Sequence, residues 1–148
     1  VPTSKRSTIR LVLLALLVPA AALACQISGT STPSPLVGIW HETAQLSCGL
    51  GQIDPPVPIG ELEFESNGTF AVTWHPFEQY YDYWGDYTVD FETGAITLEI
   101  TGSNDLPAGF DGVGEVRIDP DGKLVLTGVW LGTPSYEVFS AQCGHVFE

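Results

Sequence analysis

The side chains best suited to holding a ligand crowd into one stretch, Trp74, Phe77, Tyr80, Tyr81, Tyr83, Trp84 and Tyr87, and are joined further on by Trp130, Tyr136 and Phe139. Tyrosine pairs an apolar ring with a hydroxyl, so a row of tyrosines can bury a small apolar or amphipathic guest and orient it with a hydrogen bond. In an extended strand successive side chains alternate, which puts Tyr81, Tyr83, Gly85, Tyr87 and Val89 on one face and Tyr80, Asp82, Trp84, Asp86 and Thr88 on the other. The first row is the more apolar and is expected to face the interior. Trp74, Tyr81, Tyr83, Tyr87 and Trp130 are therefore the expected ligand-binding set. The same row read as packing alone requires no ligand.

Other reactive residue types lack the spacing that chemistry needs. His41, His75 and His145 fall in three separate segments, with no two at metal-ligand spacing. Asp119, Asp121 and Gly122 resemble the start of a calcium loop, but the closing glutamate is missing and apolar residues follow, so a hairpin turn is expected there. The chain contains no Gly-x-Ser-x-Gly, no His-Glu-x-x-His and no phosphate-cradling loop. Carboxylates are too abundant for any pair to be singled out as acid and base. No catalytic residue, metal or cofactor is assigned, and the expectation is a protein that binds and is not an enzyme.

Charge narrows the partners. The chain carries 18 acidic residues against 5 Lys and Arg, a formal net charge of −13. Three of the five cations, Lys5, Arg6 and Arg10, lie at the start, which leaves Arg117 and Lys123 for all the rest. Phosphate backbones bind by exchanging counterions for basic side chains, so nucleic-acid binding is excluded as an expectation. An acidic surface also keeps a tethered domain soluble.

Lys5, Arg6 and Arg10 precede an apolar run over residues 11–24, and the run stops at Cys25. As a helix this run would rise about 21 Å, short of a roughly 30 Å hydrocarbon core, and it contains Pro19. The stretch Ala21-Ala22-Leu23-Ala24-Cys25 resembles the bacterial lipoprotein signal. That resemblance implies a cleaved signal over residues 1–24, a lipid attached to Cys25, and a protein exported to the cell envelope and held to a membrane outside the cytoplasm. Ordinary cleavage after Ala24 is the alternative. Residues 25–35, small and polar with prolines, read as a flexible tether, and residues 36–148 as one domain. With Cys25 acylated, Cys48 and Cys143 remain to form a disulfide; two buried thiols are the alternative, less suited to an exported chain.

Within residues 36–148, short β-type runs recur with turn signals between them, and no amphipathic helical stretch interrupts them. Eight strands are predicted, over residues 37–45, 61–66, 69–75, 81–90, 95–101, 112–119, 123–131 and 136–147. Asn67-Gly68, the region of Gly94, and Asp121-Gly122 predict tight hairpins. Eight consecutive antiparallel strands predict an up-and-down barrel, because closure removes both unpaired edges. A bond from Cys48, after the first strand, to Cys143, in the last, would join the two ends of such a sheet.

Gly38-Ile39-Trp40 opens the first strand, and here the chain resembles the lipocalin and calycin group, whose first strand carries Gly-x-Trp with the indole plugging the closed end of the barrel. The resemblance implies that Gly38 and Trp40 form the barrel-closing motif and that the cup holds a small apolar or amphipathic molecule. It also implies that the long segment over residues 46–60 lies across the mouth. A solid barrel that meets another envelope protein, as an inhibitor or assembly factor would, is the competing expectation. Exposed aromatics such as Trp84 or Phe77 would mark that case.

Overall fold

Apolar and acidic residues alternate strictly through Glu61-Leu62-Glu63-Phe64, and a segment so patterned must be extended, with one dry face and one wet one. That logic governs the whole described chain. The computed structural model describes residues 34–49, 51–55, 57–75, 80–107, 109–132 and 142–148. Among these residues the regular structure is all β: β1 (Gly38–Trp40), β2 (Glu42–Ser47), β3 (Gly51–Ile53), β4 (Glu61–Phe64), β5 (Thr69–Thr73), β6 (Tyr83–Asp90), β7 (Ala95–Ser103), β8 (Val113–Ile118), β9 (Leu124–Thr127) and β10 (Gln142–Phe147). The signal over residues 1–24, Cys25 and the tether up to residue 33 lie outside the described residues, as do Phe77, Tyr136 and Phe139.

The ten strands form a single antiparallel sheet in the order β1-β4-β5-β6-β7-β8-β9-β10-β2-β3. The expected count of eight is corrected in two places. The predicted first strand changes partner at His41: β1 pairs with β4, as Trp40 with Leu62, while β2 pairs with β10, as Glu42 with Phe147. His41 itself exchanges both backbone hydrogen bonds with Glu148, each at 2.9 Å. One continuous segment thus holds both sides of the sheet, which curls into a barrel-like wall. The second change is β3, which folds back on β2 inside the segment expected to be an irregular lid.

The predicted hairpins are present, each with its local chemistry. Between β4 and β5, Gly68 adopts a φ of 90°, and the Asn67 carboxamide oxygen accepts from the Thr69 backbone N–H at 2.9 Å and from its hydroxyl at 2.7 Å. Between β6 and β7, the Asp90 carboxylate accepts from the Glu92 N–H at 2.9 Å. Hydrogen bonds from Thr93 and Glu92 hold its carboxyl below the ordinary carboxylate range. Residues 119–123 join β8 to β9 as a turn, with the Gly122 N–H donating to the Asp119 carbonyl at 2.8 Å.

The inner face carries Leu62, Phe64, Phe70, Val72, Trp74, Tyr83, Ile96, Leu98, Leu124, Leu126 and Phe147, all buried. Leu36 and Ile59, on either side of the first strands, are buried in the same cluster. Trp40 is half-buried against this core and donates its indole N–H to the Leu36 carbonyl at 2.8 Å. Cys48 and Cys143 are bonded, with Cα atoms 5.3 Å apart, and tie the end of β2 to β10.

Candidate functional site

Strand β6 sorts the aromatic stretch by parity, and its alternation starts at Tyr83. Tyr83 and Gly85 are buried, Tyr87 and Val89 half-buried, and Trp84, Asp86, Thr88 and Asp90 exposed. The predicted inner row is therefore present from Tyr83 onward. Tyr81 does not join it, because it precedes the strand and is not bound by the strand's alternation. It is 44% exposed, and its hydroxyl donates to Glu63 Oε2 at 2.8 Å. That hydrogen bond to an acid, together with burial, raises the Tyr81 phenol above its usual value.

Tyr83, at 0% exposure, meets Trp74, Phe110 and Phe70 at ring-centroid distances of 5.6, 5.7 and 6.3 Å, and its hydroxyl donates to the Leu131 carbonyl at 2.6 Å. Tyr87 packs edge-on against Phe64 at 4.8 Å and donates to the Glu65 carbonyl at 3.0 Å. Of the expected ligand set, the fold brings Trp74 and Tyr83 into contact and leaves Tyr81 on the outside. Trp74, 4% exposed, has an indole N–H that finds no hydrogen-bond acceptor among the described residues.

Burial pushes the Tyr83 phenol well above 10.0, with Asp82 and Glu42 adding to the rise. An unfolded chain releases this proton near the ordinary tyrosine value while the folded one retains it. Above that value the native state binds more protons, so stability falls as pH rises. The expected outcome is a loss of up to about 1.4 kcal/mol per pH unit from Tyr83 above pH ~10, with none below it. Denaturant melts across that range check it: Tyr83→Phe should remove this part of the slope, at a cost of about 1 kcal/mol for the lost hydrogen bond at neutral pH.

Trp130, buried, stacks on His145 at 4.7 Å and 13°. His145 is fully buried and belongs to a polar cluster where β10 pairs with β2. The Leu131 N–H donates to Nε2 at 3.0 Å, so that nitrogen carries no proton, and the neutral ring holds its proton on Nδ1. Nδ1 lies 2.5 Å from Glu42 Oε1, and Glu42 Oε2 accepts from the Ile59 N–H at 2.8 Å. Glu42 is buried as well. Both carboxylate oxygens thus accept from donors, one from Ile59 and one from His145, in two different parts of the chain. His41, by contrast, is exposed and bonds through Nδ1 to the Gly60 carbonyl. Among the described residues no group of three or more His, Cys, Asp or Glu side chains could hold a metal ion.

An open concavity lies on the outer wall. It is a groove of about 490 Å³ bordered by Glu63, Glu65, Tyr80, Tyr81, Trp84 and Asn104. Register creates it: Glu63 pairs with Ala71, Ala71 with Trp84, and Trp84 with Gly102, so a row crosses β4, β5, β6 and β7 on the outer face. Ala71 is too small to fill the space between the acid and the indole. Gly102 supports the indole from beyond, since a Cβ there would lie 2.5 to 2.7 Å from three of its ring atoms. Trp84 is held over the sheet and remains 38% exposed, beside Tyr80 at 50%. Asn104 secures the rim by donating to the Tyr81 carbonyl at 2.8 Å.

In sequence, Trp84 and Tyr80 fall on the face opposite the tyrosine row, outside the expected ligand set, with Trp84 a marker of the protein-interaction alternative if exposed. Glu63 and Glu65 were legible as outward-facing by their alternation with Leu62 and Phe64. Their convergence with Trp84 depends on the pairing of β4 with β5 and of β5 with β6. Comparison with protein-family models, curated proteins and solved structures found no match to this chain.

Proposed function

We propose that this protein is a non-catalytic binding module of the cell envelope, tethered through a lipid on Cys25, and that it engages its partner on the outer wall at the Trp84 groove. The observation that carries this reading is a large, partly exposed indole held over Gly102 beside two exposed tyrosines. Large aromatics in a concave, partly desolvated setting are the residues that anchor binding partners. The inner tyrosine, Tyr83, already spends its ring and its hydroxyl on the core. The Gly38 and Trp40 start and the barrel-like wall fit a lipocalin-like scaffold put to this use.

A second reading, a small apolar or amphipathic molecule held inside the wall, is favoured by one observation, the buried Trp74 indole N–H with no acceptor among the described residues. Native mass spectrometry of the full protein purified from its own membranes separates the two. Trp84→Ala should abolish any co-purifying species and, as a substitution on an exposed side chain, shift the melting midpoint little. A bound species that survives Trp84→Ala but is lost in Trp74→Phe would overturn the outer-wall reading in favour of the interior one.

A further inference from the structure

We propose that the Trp84 groove recognises a cationic group, a quaternary ammonium or a protonated amine. The inference rests on the groove being the binding site and goes on to name the chemistry of its occupant. Indole and phenol rings present negative faces, and a cation over such a face is attracted by the ring quadrupole, most strongly by tryptophan. Trp84, Tyr80 and Tyr81 bring three such rings to one concavity. Two carboxylates, Glu63 and Glu65, border the same concavity.

Both acids are held in place. Glu63 Oε2 accepts from the Tyr81 hydroxyl at 2.8 Å, and Glu65 Oε2 accepts from the Asn67 carboxamide at 2.9 Å. Each retains a second carboxylate oxygen, and among the described residues neither is paired with a Lys or Arg. Among the described residues the groove's lining contains no Lys or Arg. Arg117 pairs with Asp119, and Lys123 pairs with Glu148, both away from the groove. The potential in the groove is therefore negative, within a chain whose formal charge is −13. That balance disfavours phosphate and carboxylate ligands, and it disfavours a second copy of this acidic chain. A cation satisfies the rings and the acids together.

The test uses choline chloride as probe and, as its control, the dimethylbutanol in which carbon replaces the ammonium nitrogen. Binding is read at the indole N–H resonance of Trp84, assigned with Trp84→Phe in the full folded domain. Choline should shift this resonance saturably, with the neutral isostere about tenfold weaker, since cation–π and carboxylate attraction are both absent from it. Glu63→Gln combined with Glu65→Gln should weaken choline about tenfold while leaving the isostere unchanged, and the retained spread of resonances would report that the variant is folded. Equal affinity for choline and the isostere would overturn the cationic inference and leave the groove as a site for neutral ligands. No shift at Trp84 with either probe would also overturn it. The outer-wall reading fails separately, if the natural partner survives Trp84→Ala.

Discussion

Replacing His145 with alanine is expected to destabilise the folded domain by about 3 to 5 kcal/mol, because a fully buried ring is removed and the buried Glu42 carboxylate loses its Nδ1–H donor. The Glu42 carboxylate would keep only the Ile59 N–H, the Leu131 N–H would lose its acceptor, and a void would open beneath the stacked Trp130 indole. Glu42→Gln is a sharper test of the hydrogen-bond assignment. Glutamine has one acceptor oxygen where the site offers two donors, so its amide must face either the Ile59 N–H or the His145 Nδ1–H. A cost of about 1 to 3 kcal/mol follows from that mismatch. Both values are read from denaturant unfolding at neutral pH. A loss below about 1 kcal/mol for His145→Ala would show that the cluster does not hold the curled sheet.

Reducing the Cys48 to Cys143 bond, or replacing both cysteines with serine, should lower stability by about 4 to 5 kcal/mol on the chain-entropy account, since the bond spans a separation of 95 residues. The effect should appear mainly as a lower unfolding midpoint. The native ladder between β2 and β10 supplies its own backbone pairing. The double-serine protein should therefore still fold, with a reduced melting temperature and the same core. An unchanged midpoint after full reduction would contradict the assignment of this bond as a main constraint on the unfolded chain.

Local pattern made much of the architecture readable. The alternation in β4 and the hairpins at Asn67-Gly68, at Gly94 and at Asp121-Gly122 follow from neighbouring residues, and the pairing of Cys48 with Cys143 is the expectation once Cys25 is set aside as the lipid site. The strand count was not readable, because nothing in residues 37–45 announces that the backbone changes partner at His41. That switch depends on β4 and β10 arriving on opposite sides of the same segment. Likewise Tyr81 shares the parity of Tyr83 in sequence, but parity transmits direction only inside a strand, and β6 begins at Tyr83.

By itself the sequence determined an acidic, all-β chain with alternating wet and dry faces, since those properties depend on residue type and on separations of one or two positions. Tertiary structure alone decided which distant residues meet. Glu63, Ala71, Trp84 and Gly102 become neighbours only through three successive strand registers. His145 and Glu42 meet only because β2 and β10 pair. Register is a cooperative outcome of burying every inner face at once, and no single segment carries it.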